Sequence, residues 1–331
     1  MSKKFVVVLL SLVMMMLLAL PMTTSAQDDT IVIGFLPGVV DPFYQLMEVG
    51  VRQAVEDSSL DIELVVQIPE MFSPTVQTPI LDAMVARGDL DYLIIAATDK
   101  EQMVAPLQAA FDAGIEIISV DTFIGDGDYV NGPVTFPLSY IGSDNTEGGR
   151  IAARALAANV GEEGKVYIQN VNPGISTTDQ RQQGFEEGIA EFPNMEVVGV
   201  DFNGDDESTA VQQTEAVLQR EEDLVGIFGT NVFSANGAGI AVNNAGLAGA
   251  VDVIAFDATI FAAEQLRAGV VSMMIAQKPF DMGYLAVQFA IADHQGVTSL
   301  PKRVPTGFAV ITADNIDDPE VARFIYEVAE N

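Results

Sequence analysis

From Ile31 onward the chain alternates short apolar runs with amphipathic segments of helical period. Runs of four to eight apolar residues between helical segments are typical of parallel strands buried on both faces, joined by crossover helices. The first series predicts strands at Ile31–Leu36, Ile62–Gln67, Tyr92–Ala96 and Ile115–Val120, with helices near Pro42–Asp57, Pro79–Arg87 and Lys100–Ala113. Four such units form one doubly wound α/β domain.

The pattern resumes in the second half of the chain, and 331 residues are enough for two domains of this kind. Strands are predicted at Val166–Asn170, Val197–Asp201, Val225–Gly229, Val253–Phe256 and Val271–Gln277, with helices near Thr146–Asn159, Arg181–Glu191, Glu207–Arg220, Ala235–Ala245 and Thr259–Ala268. An eight-stranded barrel has a similar element count. The interruption from Thr122 to Pro137, rich in Gly, Asp and Pro, instead favours two open halves with a boundary there.

The first 26 residues have the pattern of a secretory signal peptide. Lys3 and Lys4 precede an apolar stretch from Phe5 to Leu20, broken only by Ser11, and small residues lead to Ala26. The stretch is short for a membrane-spanning helix, so cleavage after Ala26 is favoured over an uncleaved anchor. Because the chain has no cysteine, the exported protein is not expected to be a lipoprotein. We therefore expect it in the periplasm or on the outer side of the membrane.

Composition argues against several functional classes. With 15 Lys and Arg against 47 Asp and Glu, the net charge is −32, which disfavours nucleic acid as a partner. No cysteine and one histidine, His294, leave little support for hydrolytic triads or zinc sites. The Gly-x-Gly segments of the chain lack the third glycine of a dinucleotide-binding fingerprint. The turn from Asp201 to Asp205 begins like a calcium-binding loop, but the residues at the sixth and twelfth positions of such a loop do not match. We expect no catalysis, cofactor or metal.

Polar residues follow the strands of both halves, at the edge where ligands bind in open parallel sheets. Asp121 and Asp257 end corresponding strands, while Asn231 and Gln277 end two others. Asp41 precedes Phe43 and Tyr44 after the first strand. Carboxylates, amides and aromatic faces together suit a ligand with hydroxyl groups and C–H faces. Alternatively, Asp41 only caps a helix, the aromatic pair belongs to the core, and the strand-end aspartates bind neighbouring amides.

These motifs, in this order and spacing, resemble those of periplasmic sugar-binding proteins of the ribose-binding type over nearly the whole mature chain. The motifs are Ile31–Phe35, Asp41–Tyr44, Ser119–Asp121, Ile141–Asn145 with Gly148 and Gly149, Arg181 before Gly184 and Phe185, Phe256 with Asp257, and Ile275–Gln277. The resemblance implies two Rossmann-like lobes joined by three crossover strands, the type I periplasmic binding protein fold. It implies an N-terminal lobe of 27–143 plus 278–306 and a C-terminal lobe of 144–277 plus 307–331. Such proteins close on a sugar and deliver it to an ABC permease.

The resemblance also implies the ligand contacts. They are Asp41, Phe43, Tyr44, Asp121, Thr122, Asp179, Arg181, Asn231, Phe256, Asp257 and Gln277. Thr122 and Asp179 stand where the ribose-binding pattern has arginines, and Asp205 stands where it has an aromatic residue. Loss of two guanidinium groups disfavours ribose and favours another pentose, a tetrose or a polyol.

Other functions remain open at this stage. Residues 177–180, Thr-Thr-Asp-Gln, are similar to a segment of receptors for the signal molecule autoinducer-2, which would make the protein a sensory module for a chemoreceptor. An exported carbohydrate-active enzyme is a third reading. A repressor with the same two-lobe body is disfavoured, because an export signal occupies the place of its DNA-binding helices.

Overall fold

The computed structural model describes residues 30–327. The predicted signal peptide lies outside the described residues. Between residues 30 and 327, no helix is long and apolar enough to cross a membrane.

The described chain forms two six-stranded sheets. The first has the order β11-β5-β4-β3-β1-β2 and is wholly parallel. Its strands are β1 Ile31–Leu36, β2 Ile62–Val66, β3 Tyr92–Ile95, β4 Glu116–Val120, β5 Ser139–Gly142 and β11 Arg303–Pro305. Its helices are α1 Pro42–Glu56, α2 Pro74–Ala86, α3 Val104–Asp112 and α9 Pro279–His294. Every residue of β1 and β3 is buried, because helices cover both faces of the sheet.

The second sheet repeats this plan in the order β12-β10-β9-β8-β6-β7 and is parallel except for β12. Its strands are β6 Glu163–Asn170, β7 Asn194–Phe202, β8 Leu224–Gly229, β9 Asp252–Phe256, β10 Met273–Ala276 and β12 Ala309–Thr312. Its helices are α4 Asn145–Val160, α5 Ser176–Ile189, α6 Glu207–Arg220, α7 Val232–Asn244, α8 Ile260–Arg267 and α10 Pro319–Ala322. We call each sheet with its helices a lobe.

The chain passes between the lobes three times: after β5, after β10 and between β11 and β12. Helix α9 follows a strand of the second sheet but packs against α1 in the first lobe. The predicted fold class, two doubly wound lobes joined by three connections, is confirmed. The barrel alternative is wrong, because both sheets are open.

The predicted boundary at residues 122–137 is also wrong. This segment joins β4 to β5 within the first sheet. Its side chains Phe123, Ile124, Tyr129 and Val134 are buried in a first-lobe core with Ile117. The Gly and Pro residues therefore mark turns inside one lobe.

Two helices begin five residues earlier than predicted. Helix α2 begins at Pro74, because Ser73 is extended and Pro74 occupies the first turn, where its missing N–H costs nothing. Pro79, predicted as the start, lies inside the helix. Helix α5 begins at Ser176 instead of Arg181, so Arg181 faces inward from the second turn.

A cavity between the two lobes

A buried cavity of about 390 Å³ lies between the lobes. Its lining comes from the carboxyl ends of strands in both sheets and from the helices that follow them. The lining residues are Asp41, Phe43, Tyr44, Phe72, Asp121, Val171, Ile175, Thr177, Thr178, Arg181, Asp205, Asn231, Asp257 and Gln277. This volume counts all the empty space bounded by these residues, including space that is open to solvent.

Asp121 and Asp257 occupy equivalent places in the two lobes. Asp121 follows β4, and its N–H donates to Ile141 O at 2.9 Å. Asp257 follows β9, and its N–H donates to Ile275 O at 2.9 Å. Both backbones are left-handed, with φ of 59° and 81°. Both carboxyl groups line the cavity.

Arg181 lies between these two carboxylates. Its Nη2 is 4.0 Å from Asp121 Oδ1, and its Nη1 is 4.0 Å from Asp257 Oδ2. Nε donates to Asn145 Oδ1 at 2.8 Å and Nη1 donates to Thr230 O at 2.9 Å. The guanidinium lies 3.8 Å from the centroid of the Phe256 ring. These contacts fix the cation from behind and leave it facing both aspartates.

Two polar atoms at this point have no hydrogen-bond partner within residues 30–327: Asp121 Oδ1 and Arg181 Nη2. Both are buried, and an unpaired buried polar atom is costly. One is an acceptor and the other a donor, at a separation that a ligand oxygen can bridge. Thr178 Oγ1, also in the lining, is unpaired in the same way.

The other oxygens of the two aspartates are held by the protein. Asp121 Oδ2 accepts from the Tyr44 hydroxyl at 2.8 Å. Asp257 Oδ1 accepts from Gln277 Nε2 at 2.9 Å and from the Tyr326 hydroxyl at 2.8 Å. Each carboxylate thus has one oxygen fixed and one directed to the cavity.

Burial raises the pKa of the cavity carboxyl groups. Desolvation raises the pKa of Asp121 to about 6, although Arg181 and the Tyr44 hydroxyl oppose it. The pKa of Asp205 is also raised to about 6, mainly by burial and despite the hydrogen bond from Asn231. Burial likewise raises the pKa of Asp41 and of Asp257. Four carboxyl groups and one arginine thus line the cavity. A ligand hydroxyl that donates to one of these carboxyl groups would replace the water that burial removes.

Aromatic side chains form one wall. Phe43 and Tyr44 meet edge to face at 5.1 Å between ring centroids, and Tyr44 stacks with Phe72 at 6.5 Å. Asp41 accepts from Tyr44 N at 2.7 Å and caps α1, which orients the pair. Asp41 therefore both caps the helix and lines the cavity.

Three predicted contact residues lie elsewhere. Thr122 is buried beside Asp121 but does not line the cavity. Phe256 lies behind Arg181 and contacts its guanidinium. Asp179 turns away, and its Oδ2 is 2.7 Å from Lys100 Nζ of the first lobe. This pair joins the lobes beside the cavity, where Lys100 N also donates to Gly174 O at 2.9 Å.

The site prediction missed several lining residues. Asp205 was considered as the replacement for an aromatic residue and as part of a turn like a calcium loop, but not as a contact residue; it lines the cavity and accepts from Asn231 Nδ2 at 2.7 Å. The sequence indicated this position by the Asn-Gly-Asp turn that follows β7. In the structure Asp205 has a φ of 64° in that turn. Thr177 and Thr178 lie three or four residues before Arg181 on α5 and share its face. Phe72, in the loop before α2, carried no local signal.

The model of the periplasmic binding protein domain matches residues 33–296, most of the chain. The chain belongs to the periplasmic binding protein family. This confirms the resemblance seen in the motifs. Among solved structures, the chain is similar to an ABC transporter solute-binding protein from Agrobacterium vitis bound with α-D-tagatopyranose. The two chains are 45% identical, and their structures superpose with a TM-score of 0.87 over 90% of this chain and all of that one.

Other relatives of this periplasmic binding protein are more distant. A second solute-binding protein from Agrobacterium vitis, with bound D-fucose, is 26% identical with a TM-score of 0.84, covering 89% of this chain and all of that one. The ribose import binding protein of Salmonella typhimurium is 28% identical over 277 residues, covering 82% of this chain and 88% of that protein. These similarities place the protein among the sugar-binding members that serve ABC transporters.

Proposed function

We propose that this protein captures one monosaccharide or polyol between its lobes and delivers it to the membrane subunits of an ABC transporter. The observation that carries the proposal is the convergence of Asp121 and Asp257, from different lobes, on Arg181 in one buried cavity. A ligand that satisfies both aspartates must contact both lobes. Binding therefore selects the closed form, and the membrane subunits recognise the outer surface of that form.

The chemistry of the cavity favours a neutral ligand with several hydroxyl groups. Sugar hydroxyls donate to the free carboxylate oxygens and accept from Arg181 Nη2. The Phe43, Tyr44 and Phe72 wall covers C–H faces. An anionic ligand would meet four carboxyl groups and a single arginine in the described lining.

Two observations bear on the size of the ligand. The absence of two arginines of the ribose-binding pattern favours a pentose other than ribose, a tetrose or a polyol. The relative at 45% identity holds a ketohexose in pyranose form. D-tagatose is therefore the first sugar to test, followed by the pentoses and tetroses.

The lobe boundaries proposed for closure are 27–143 plus 278–306 and 144–277 plus 307–331. We further propose export to the periplasm or the outer side of the membrane after removal of residues 1–26, without a lipid anchor. The protein acts by binding alone and returns its sugar unchanged.

A thermal-shift screen followed by calorimetry tests the proposal. The mature protein is mixed with D-tagatose, D-fucose, D-allose, D-ribose, other pentoses, tetroses, polyols and autoinducer-2. A true ligand raises the unfolding temperature with the logarithm of its concentration, and we expect a monosaccharide to do so with 1:1 stoichiometry. No shift with any sugar, or a shift with autoinducer-2 alone, would contradict the proposal. Chromatography of the recovered sugar shows whether it is chemically unchanged.

A further inference from the structure

The C-terminal segment returns to the rear of the cavity at Tyr326. The Tyr326 side chain is buried, its backbone N–H donates to Ala258 O at 2.7 Å, and the residue pairs with Thr259 as a parallel bridge. Its ring lies 5.9 Å from that of Phe43, edge to face. One side chain thus touches an aromatic residue of the first lobe and a strand end of the second.

The Tyr326 hydroxyl has a defined direction. It accepts from Gln277 N at 2.9 Å, since a backbone N–H can only donate. Its own proton is therefore directed to Asp257 Oδ1 at 2.8 Å. Burial raises the pKa of Tyr326 well above its ordinary value, so the donor stays protonated.

This hydroxyl belongs to a network that spans two of the three lobe connections. Gln277 follows β10, and its Nε2 donates to the same Asp257 oxygen. Its Oε1 accepts from Ser143 Oγ at 2.9 Å, just after β5. Asp257 Oδ1 is thus filled by two donors, which leaves Oδ2 for the cavity.

We propose that Tyr326 is a positioning residue for ligand binding: its hydroxyl fixes Asp257 so that Oδ2 faces the ligand, and its ring couples this arrangement to Phe43 of the other lobe. The inference rests on the proposed function. Tyr326 does not line the cavity, so it acts through Asp257. Packing alone would need only a phenylalanine; the two hydrogen bonds require the hydroxyl.

The test compares Tyr326→Phe with Tyr92→Phe. Each substitution removes a phenol that donates to a carboxylate, but Tyr92 bonds Asp293, away from the cavity. The ligand is D-tagatose, or the panel sugar that binds most tightly. We expect Tyr326→Phe to bind it about tenfold more weakly than the wild-type protein, or weaker still, and Tyr92→Phe to bind it with unchanged affinity. In an Asp257→Ala background, which lacks the acceptor oxygen, the loss from Tyr326→Phe should disappear. Equal losses in both backgrounds, or unchanged affinity in Tyr326→Phe, would overturn the positioning role.

A second measurement needs no ligand. Burial raises the pKa of Asp257, and Arg181 opposes this rise, as do the hydrogen bonds from Gln277 and Tyr326. Asp41, Asp121 and Asp205 are the other carboxyl groups that face it. Carbon-detected NMR titration should show a higher Asp257 pKa in Tyr326→Phe but not in Tyr92→Phe; an unchanged pKa would overturn the inference. If no sugar binds the wild-type protein, the proposed function fails, while this titration still decides whether Tyr326 orients Asp257.

Discussion

The two strand-end aspartates have the same backbone geometry and different surroundings. Asp121 has one protein donor, Tyr44, which itself lines the cavity. Asp257 has two donors on one oxygen, and one of them comes from the C-terminal segment. The repeated fold therefore fixes where the carboxylates lie, whereas elements outside the repeat decide how firmly each is held.

The difference gives the two aspartates unequal dependence on the ligand. Asp121 Oδ1 of the first lobe and Arg181 Nη2 of the second lobe have no partner in the described chain, so a ligand supplies a contact that both atoms lack. Asp257 is already held by Gln277 and Tyr326. We therefore expect Asp257 to be in place before the ligand binds and Asp121 to gain more order on binding.

The largest effect should come from Arg181→Met, because this change removes the cation that the two aspartates share. Loss of one member of a buried charge cluster costs about 3–5 kcal/mol of unfolding free energy. The loss should shrink at pH 5, where more of the facing carboxyl groups are protonated. Urea unfolding at pH 7 and pH 5 measures both.

Arg150→Met is the matched control for this change, since Arg150 pairs with Glu147 and Glu187 on the surface. Its expected cost is much smaller than that of Arg181→Met, because its ion pairs are exposed to solvent. Similar costs for the two variants would show that Arg181 does not hold the aspartates together.

The difference between the two aspartates is tested by Asp121→Ala and Asp257→Ala. Both should weaken sugar binding by about 1–3 kcal/mol in calorimetry. Asp257→Ala should also lower the unfolding free energy more, because it leaves the Gln277 and Tyr326 donors unsatisfied, whereas Asp121→Ala leaves only Tyr44. Unchanged affinity in both variants would remove these residues from the site, and equal stabilities would remove the asymmetry.

Affinity should rise with pH between 5 and 7. Asp121 and Asp205 have pKa values of about 6 without ligand, and hydroxyl donors favour their ionised forms, so binding releases protons. Protonation of each such group should weaken binding about tenfold when the pH is one unit below its pKa. The stability of the ligand-free protein should move the opposite way: a raised pKa stabilises the fold below the unfolded value near 3.8, and this contribution is lost as pH rises through about 6.

Calorimetry in buffers of different ionisation enthalpy measures the released protons directly. Asp121→Asn should show a weaker pH dependence than the wild-type protein, because one titrating group is gone. An affinity that is flat from pH 5 to 7 would indicate that the ligand does not contact ionised carboxylates.

The smallest effect should come from the Lys100–Asp179 pair beside the cavity. The two side chains are 30% and 28% exposed, so their ion pair contributes about 1 kcal/mol or less to the stability of the closed form. Lys100→Met should speed sugar release slightly in stopped-flow measurements, because the closed form loses one inter-lobe contact. The exchange Lys100→Asp with Asp179→Lys should restore the rate; failure to restore it would mean that the pair does not hold the lobes together.

Much of this arrangement was predictable because parallel strands end at a common edge. Asp121, Asp257, Asn231 and Gln277 were expected together for that reason, and all four line the cavity. Asp179 was expected there from the resemblance to the ribose-binding pattern. It lies two positions before Arg181 on α5, about half a turn around the helix, so it faces Lys100 instead.

Other features depended on tertiary structure. The role of Tyr326 depends on the path of the C-terminal segment, which no local pattern gives. The segment from Thr122 to Pro137 was misinterpreted because its turn residues outweighed its apolar ones. Phe123, Ile124 and Tyr129 within it were the sign that it packs into the first lobe.

Asp121, Asp205 and Asp257 have positive φ, which is uncommon for residues other than glycine and costs of order 1 kcal/mol each. Glycine at any of these positions would relieve the backbone and remove the carboxylate at the same time. The backbone at these three turns would suit glycine, but the function proposed for the cavity needs a carboxylate there. A more stable version of this scaffold that still recognises its sugar should therefore keep these three residues unchanged.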